Sequence, residues 1–307
     1  MIESFKITNH LGESLELTLA DPDSSGLAIT SVTGLGQVDA DVNFTKLAGS
    51  DYYAENSAVL GQRNIVFNIT YYGDDTEDCR HIADEYFPTK KKIDIIARTT
   101  HRELTTTGVV ESNEPNIFSS KSGCTVSILC ADPYWYALDI SSIPFGGIEP
   151  KLEFPLCEDR DDSLTDNDDI DVFEFGNIRP VVERSIYYTG EAEVGITINI
   201  HVLSTVRNLI IYNVDLRQRI SIDDSILTTV TGSGLIQGDD VIISTTKNQK
   251  YATLIRSGIE YNIINALGKQ RDWFELSRGD NAFAYSATEG LYDMVITVKH
   301  RVSYKGL

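Results

Sequence analysis

The residue types that most often carry catalysis or bind metal ions are sparse and scattered in this sequence. No two of its five histidines stand at a spacing typical of metal ligands; they are His10, His81, His101, His201 and His300. The chain has neither a G-x-S-x-G nucleophile turn nor a Walker A loop, and Gly34-Leu35-Gly36 lacks the third glycine of a dinucleotide-binding motif. We therefore predict that the chain is not an enzyme and that it binds no cofactor or metal ion.

The cysteines do not form a redox or zinc motif either. None of Cys79, Cys124, Cys130 and Cys157 belongs to a C-x-x-C pair. Cys124 and Cys130 fall on one face of a predicted strand, about 20 Å apart, which is too far for a disulfide. We predict free, buried thiols.

A run of acidic residues from Glu158 to Asp171 is the strongest candidate for cation binding. It holds eight acids and one arginine, and oxygen-rich loops bind calcium. The spacing does not match a helix-loop-helix calcium site, because Asp171 stands where the sixth position, counted from Asp166, requires glycine. We therefore interpret the run as an acidic surface loop, with a calcium site as the alternative.

The overall charge excludes a protein that grips nucleic acid through its phosphates. The 307 residues include 46 acidic and 26 basic side chains, for a net charge of −20. Binding to phosphates needs lysine and arginine to replace counterions. An acidic surface instead suits a soluble protein or a channel wall along which DNA moves without sticking. The sequence also lacks an apolar run long enough to cross a membrane.

Alternation of apolar and polar residues predicts a mainly β protein. Ile65, Phe67, Ile69 and Tyr71 share one face of a strand, and a second alternating strand begins at Val194. One helix is predicted after Asp74 or Asp75, either of which can cap its N-terminus; its apolar stripe is Cys79, Ile82, Ala83 and Tyr86, and Pro88 ends it. Short strands separated by turn residues favour β-sandwiches.

The stretch SSIPFGG at 141–147 contains proline and glycine and indicates a linker, so we predict a domain boundary there. The predicted domains are 1–140, which contains the helix, and 141–307, which contains the acidic run at 158–171.

A long polar segment between Gly34 and the strand at Ile65 is too long for a hairpin turn and too ordered in composition for a linker. It carries Leu47, Tyr52, Tyr53, Val59 and Leu60. We interpret it as an arm that packs against something.

Several blocks of the sequence resemble the distal tail proteins (Dit) of siphoviruses. The first is LAGSDYYAENSAVLGQRNIVFNITY, followed by a helix ending in YFPTKKK and by GVVESNEPNIFSSKSGCTVSILCADPYWY. The second half contributes NALGKQRDWFELSRGDNAFAYSA and a final MVITVKHR strand. The resemblance covers nearly the whole chain, and the acidic run at 158–171 departs from it.

This resemblance implies two β-sandwich domains, the second of them galectin-like, and a non-enzymatic structural role. Proteins of this family form a homohexameric ring between the tail tube and the tail-tip or baseplate proteins, through which DNA passes. Implied partners are other copies of the chain, the tail tube protein, a tail-associated protein and a receptor-binding protein, and the implied location is the virion tail after assembly in the host cytoplasm.

The same resemblance assigns roles to the arm. Candidates for the contact with the next subunit are Leu47, Tyr52, Tyr53, Val59, Leu60 and Arg63. Candidates for acids facing the central channel are Asp39, Asp41, Asp51 and Glu55.

Two other functions compete with this interpretation. A carbohydrate-binding adhesion module would present exposed aromatic side chains, and the candidates are the two tryptophans, Trp135 and Trp273. Trp273 falls within an apolar strand pattern, which disfavours that role. A polysaccharide-degrading enzyme is the third interpretation.

Overall fold

A computed structural model of the chain describes residues 1–73, 75–116, 122–150, 176–180, 182–269 and 271–307. Cys157, the acidic run at 158–171 and the alternative helix cap Asp74 lie outside the described residues. Within these ranges the chain is mainly β, as the sequence predicted. No described helix is long and apolar enough to span a membrane.

The chain divides into two compact units. Unit 1 comprises Met1–Ile140, Thr189–Glu193 and Arg301–Leu307, and unit 2 comprises Ser141–Tyr188 and Val194–His300. The stretch predicted as a linker, 141–147, begins where unit 1 first ends, but Ser141–Pro144 continue a strand that starts at Trp135 and Gly146 begins the next strand, so the stretch is mostly β-strand. The sequence did not indicate that the two later segments would join unit 1.

The strands that begin in unit 1 are, in chain order, β1 (Ile2–Thr8), β2 (Ser14–Thr18), β3 (Leu27–Thr33), β4 (Ala40–Lys46), β5 (Tyr53–Leu60), β6 (Arg63–Tyr71), β7 (Lys92–Thr99), β8 (Glu103–Asn116), β9 (Gly123–Cys130) and β10 (Trp135–Pro144). Antiparallel pairing gives the order β2-β1-β7-β8-β9-β6-β3, and β10 pairs with the start of β8. Strands β4 and β5 form a separate two-stranded sheet.

The main sheet of unit 1 folds over on itself into a sandwich. Strand β8 pairs first with β7 and then with β9, with a bulge between Val110 and Ser112. As a result Phe5 on β1 and Phe67 on β6, which are not neighbours in the sheet, meet edge to face with ring centroids 5.2 Å apart. Phe87 contacts Phe67 in turn, at 6.2 Å.

The predicted helix is confirmed as α1 (Thr76–Tyr86). The Asp75 carboxylate caps it by accepting a hydrogen bond of 2.8 Å from the backbone N–H of Glu77. Cys79 and Ala83 are buried against the core, with Ile82 and Tyr86 packed at its edge. Cys124 and Cys130, like Cys79, are buried free thiols, as predicted for these three cysteines.

The strands that begin in unit 2 are β11 (Gly146–Pro150), β12 (Gly176–Pro180), β13 (Glu183–Tyr188), β14 (Val194–Gly195), β15 (Thr197–Val202), β16 (Ile210–Asn213), β17 (Gln218–Ser221), β18 (Asp240–Ser244), β19 (Tyr251–Arg256), β20 (Ile259–Asn262), β21 (Glu275–Leu276), β22 (Gly279–Ser286) and β23 (Met294–Tyr304). Two sheets, β23-β15-β18-β19-β20 and β13-β22-β16-β17, form its body. Apolar side chains from both are buried, among them Ile198, Val241, Phe283 and Tyr285. Tyr188 of β13 meets His300 of β23 edge to face at 5.6 Å, so the two sheets face each other.

Unit 2 also contains a short helix, α2 (Asp224–Thr231), that the sequence interpretation missed. The Asp223 carboxylate accepts hydrogen bonds from the N–H groups of Ser225 and Ile226, and Gly232 ends the helix in the left-handed conformation at φ 82°. Both capping signals are visible in the sequence, but the threonines and valine between them favour a strand.

A buried arginine holds together three distant segments of unit 1. Arg63, the first residue of β6, is only 1% exposed, and all five of its N–H groups donate to backbone carbonyl oxygens. The acceptors are the carbonyls of Gly34 and Gly36 at 2.6 and 2.7 Å, of Pro133 at 2.9 and 2.6 Å, and of Lys305 at 2.7 Å. The guanidinium also lies over the ring of the fully buried Trp135, at 5.6 Å from its centroid.

Burial lowers the pKa of Arg63, but a guanidinium stays charged at neutral pH because its ordinary pKa lies far above that pH. The four carbonyl groups solvate that charge in place of water. Gly34 itself requires glycine, since its φ is +80° and a Cβ there would overlap the carbonyl of Asn64 on β6.

We predict that Arg63→Leu lowers the free energy of unfolding by about 3–5 kcal/mol, because it removes a buried guanidinium and leaves the four carbonyl groups that surround it without their donors. Urea denaturation of the purified protein measures this change. The matched control is Arg80→Leu, which removes an exposed arginine that pairs with Asp84 one helical turn away and changes stability by less than about 0.5 kcal/mol. A loss below about 1 kcal/mol for Arg63→Leu would show that water replaces the guanidinium without cost.

Candidate assembly surface

The arm predicted from the sequence is a β-hairpin that stands apart from the core of unit 1. Strands β4 and β5 pair from Ala40 with Leu60 at the base to Lys46 with Tyr53 near the tip. Of the residues from 40 to 60, only Ser50 and Ala54 are even half-buried. None of these residues belongs to the core of unit 1. The segment therefore forms a β-hairpin with a six-residue tip loop at 47–52. The sequence interpretation predicted an arm but did not predict that it would be a hairpin.

Backbone contacts fix both ends of this hairpin. At the base, the N–H of Gly61 donates to the carbonyl of Asp39 at 3.0 Å. At the tip, the N–H of Leu47 donates to the carbonyl of Tyr52 at 3.2 Å, and Gly49 takes a φ of +77°. The carbonyls of Gly34 and Gly36 just before the hairpin are held by Arg63 just after it, so the same arginine anchors both of its strands to the core.

The two faces of the hairpin differ in chemistry. The register places on one face, which we call the apolar face, Ala40, Val42, Phe44, Lys46, Tyr53, Glu55, Ala58 and Leu60. The opposite, polar face carries Asp41, Asn43, Thr45, Ala54, Ser57 and Val59. A bulge at Asn56 keeps this division intact along the whole of β5.

Side-chain hydrogen bonds link the strands on the polar face. Asn43 donates to the hydroxyl of Ser57 at 3.2 Å, and Asn56 donates to the hydroxyl of Thr45. On the apolar face Phe44 is 58% exposed and Tyr53 60% exposed. A two-stranded hairpin with both faces in water is only marginally stable by itself. The exposed aromatic and aliphatic side chains are therefore the feature of this hairpin that most needs a partner.

The residues predicted for the subunit contact do not all lie together. Tyr53 and Leu60 lie on the apolar face, Val59 lies on the polar face, and Leu47 and Tyr52 lie in the tip loop, where Tyr52 is 78% exposed. Arg63 differs from these five exposed residues because its side chain is buried. Because it is buried in unit 1 with its donors all used, we do not carry it into the proposed contact.

The acids predicted for the channel wall are all exposed but point in different directions. Asp41 lies on the polar face opposite Val59, whereas Glu55 lies on the apolar face opposite Phe44. Asp39 is at the base and Asp51 is in the tip loop. Asp41 and Glu55 therefore cannot line the same surface.

Val42 and Phe44 on the apolar face were missed by the sequence interpretation. The signal was present, since Val42-Asn43-Phe44 alternates apolar and polar residues as a strand does. It was overlooked because the run is short and flanked by acidic and polar residues.

Outside the hairpin, the described residues offer no metal or aromatic binding site of the kind considered from the sequence. They contain no group of three or more histidine, cysteine or acidic residues arranged to hold a metal ion. Trp135 is fully buried, and the ring of Trp273 is approached by the cationic groups of Lys250 and Arg271 at 5.3 and 6.0 Å. Neither tryptophan offers a free platform for a sugar ring.

These observations define a mainly β chain of two units with an exposed amphipathic hairpin on the first. Neither protein-family models nor curated protein sequences gave a match to this chain. Among solved structures, it is similar to the Dit protein of phage SPP1, described as a paradigm of the hub adsorption apparatus in phages that infect Gram-positive bacteria. That similarity has a TM-score of 0.62 at 15% sequence identity and covers 97% of this chain and 98% of the other.

A chain in the baseplate of phage P2, in its activated conformation with Ca, is also similar. The TM-score is 0.52 at 11% identity, and 98% of each chain is covered. At these identities the comparisons establish the fold. The resemblance to distal tail proteins stated from the sequence is thus confirmed at the level of the fold, over nearly the full length of the chain.

We predict that unit 1 folds without its hairpin. Replacing Ala40–Leu60 by two glycines joins Asp39 to Gly61, whose backbones are already hydrogen-bonded, and removes no core residue. At a concentration low enough to keep both proteins monomeric, the melting temperature stays within about 2 °C of that of the intact chain. Differential scanning calorimetry measures it. A fall of 8 °C or more would mean that the hairpin stabilises unit 1.

Proposed function

We propose that this chain is a structural subunit of the distal end of a siphophage tail, and that six copies form a ring there. The observation that carries the proposal is the full-length similarity of fold to the SPP1 hub protein, at a TM-score of 0.62. The proposed partners are the other copies of the chain, the tail tube protein on one side and a tail-tip or tail-associated protein on the other. A receptor-binding protein is a further proposed partner, and the proposed location is the virion tail, assembled in the host cytoplasm. No catalytic step is part of this role.

The apolar face of the hairpin is the proposed contact between neighbouring subunits. Its exposed aromatic and aliphatic side chains gain the most free energy from leaving water. A contact in which the hairpin of one copy packs on a different surface of the next is heterologous, and such contacts close into rings when the rotation between copies allows it. Phe44 and Val42 are at the centre of the face and contribute most.

The polar face is then the proposed surface toward the central channel. It carries a carboxylate, hydroxyls and amides, and within residues 40–60 its members include no lysine or arginine. DNA is held by basic side chains through counterion release, so a wall of this composition lets it slide. Among the acids proposed from the sequence, Asp41 fits this surface, whereas Glu55 fits the subunit contact.

The assembly contact is tested by a pair of double variants on the same strand. Val42→Ser with Phe44→Ser removes about 3–6 kcal/mol of burial per contact and yields monomers. Asn43→Ser with Thr45→Ser changes the adjacent positions on the opposite face, keeps a hydroxyl at each of them for the bonds between the strands, and leaves the oligomer of the intact chain unchanged. Light scattering coupled to size-exclusion chromatography gives both masses. An intact oligomer in the first variant would exclude the apolar face as the contact, and a wild-type protein that stays monomeric with its tail partners present would exclude the ring.

The channel surface is tested in virions. Asp41→Lys leaves ring assembly intact and slows DNA ejection, most strongly at low ionic strength, because screening extends over only about 10 Å at 0.1 M salt. Glu55→Lys, an equal change of charge on the apolar face, reduces assembly instead. Ejection is followed by fluorescence of a DNA-binding dye after receptor addition. Normal ejection by Asp41→Lys virions in low salt would contradict this orientation of the hairpin.

A further inference from the structure

Two segments of unit 2 bring three basic side chains and a tryptophan together. The turn between β18 and β19 carries Lys247 and Lys250, both of which are exposed. The segment that leads into β21 carries the exposed Arg271 and the half-buried Trp273. Lys250 Nζ lies 5.3 Å, and the guanidinium carbon of Arg271 6.0 Å, from the centroid of the Trp273 ring. We call these four residues the basic patch.

Buried contacts fix these two segments against each other. Thr245 is fully buried, and its hydroxyl donates to the carbonyl of Phe274 at 2.6 Å. Gly195 of β14 allows the turn to approach, because a Cβ there would overlap the backbone of Thr246. Phe274 is fully buried, and its neighbour Trp273 therefore points to the other side of the extended chain. The patch thus has a defined geometry although its charged groups are at the surface.

The positive charge of the basic patch is only partly neutralised. Lys247 Nζ lies 3.1 Å from a carboxylate oxygen of Glu275, and Arg271 donates to the carbonyl of Ile264 at 3.1 Å. Within the part of the chain that the structure describes, neither Lys250 nor Arg271 forms a salt bridge with a carboxylate. In a chain of net charge −20, this local excess of positive charge attracts a carboxylate-rich segment.

The chain itself contains such a segment. The acidic run at 158–171 has eight acids and one arginine, which makes it complementary in charge to the patch. Runs of like charge are frequently interaction segments. The run is also the part of the sequence that departs from the resemblance to distal tail proteins, so its partner need not be one that those proteins share.

The length of the chain allows the run to reach the patch of its own molecule. Asp166, near the middle of the run, precedes Glu183 at the start of β13 by 17 residues, a contour of about 55 Å. From Glu183, three strand-to-strand steps across the sheet lead to Arg219, about 14 Å away. The backbone N–H of Asp272 donates to the carbonyl of Arg219, and Trp273 is the next residue. The distance to span is therefore about 20 Å, well within the contour.

We infer that the acidic run at 158–171 binds the basic patch of the same chain. Its carboxylates pair with Lys250 and Arg271, whose positions the Trp273 ring restricts by cation–π contacts. Each exposed ion pair is weak, but the tether gives the run an effective concentration in the millimolar range, so several weak pairs suffice. The contact lies within one chain and does not depend on the proposed ring.

Limited digestion of the intact protein with an endoproteinase that cleaves before aspartate tests this contact. The run contains seven aspartates, and bound residues are protected. Lys250→Glu with Arg271→Glu raises the rate of cleavage within 158–171 at least fivefold, as followed by mass spectrometry. The matched control, Lys91→Glu with Lys92→Glu, makes the same change of charge at two exposed lysines of unit 1 and leaves the rate unchanged.

Two results of this digestion overturn the inference. One is an equal rate of cleavage in the patch variant and the unaltered protein. The other is protection that rises with protein concentration, because this would place the run on a neighbouring copy.

A binding measurement gives an independent test. In the host chain, residues 158–171 are replaced by fourteen glycine and serine residues, and the probe is the fluorescein-labelled peptide EDRDDSLTDNDDID. Fluorescence anisotropy shows at least tenfold tighter binding to this chain than to the intact protein, whose own run occupies the patch. Raising the salt from about 0.05 to 0.5 M weakens the binding at least tenfold.

The patch variant Lys250→Glu with Arg271→Glu, made in the same replaced chain, loses this binding, and Lys91→Glu with Lys92→Glu retains it. A peptide in which the eight acids are replaced by their amides does not bind. Equal affinity of the acidic peptide for the intact and replaced chains, or for the replaced chain with and without the patch substitutions, contradicts the inference.

Discussion

The charge of Arg63 and the backbone oxygens around it are the interaction on which unit 1 depends. Among the described residues no carboxylate accepts from this guanidinium; its donors are taken up by carbonyls from three separate parts of the chain. A buried cation is costly unless fully hydrogen-bonded, so these segments must all arrive in register before the site is stable. The requirement fixes the base of the hairpin with respect to the core, although the hairpin itself contributes nothing to that core.

The hairpin shows why such an anchor is needed. The two strands pair through their backbone groups, yet both faces of the hairpin are exposed to solvent. Its apolar face can make one specific contact only if the orientation of the hairpin on unit 1 is fixed. An exposed, apolar two-stranded sheet on a flexible base would be prone to pair with any available strand. Rigid attachment through Gly34, Gly36 and Arg63 restricts the contacts that it can make.

The strands and the first helix were predictable because their signals are local. Alternation at Ile65–Tyr71 and the stripe from Cys79 to Tyr86 report burial directly: the apolar face of the strand is buried, and the helix stripe packs on the core with Cys79 and Ala83 buried. The position of Arg63 was not predictable, because its acceptors are backbone atoms, the last of them 242 residues away, which leave no mark on side-chain patterns. Helix α2 was missed because its β-branched threonine, isoleucine and valine residues favour a strand, although the residues at both of its ends favour a helix. The faces of the hairpin depend on the bulge at Asn56, since a shift of one residue exchanges the two sides of a strand.

Because Arg63 donates to the carbonyl of Lys305, the hydrogen bonds of this arginine are completed only near the end of synthesis of the chain. Arg63 leaves the ribosome long before its final acceptor is made, and at about 5–20 residues per second the delay over 242 residues is roughly 12–48 s. All of unit 2 is translated within that interval. The base of the arm thus acquires its last hydrogen bond only after the second unit has been translated. The hairpin that we propose as the contact between copies is therefore fully anchored only in chains whose synthesis has passed Lys305.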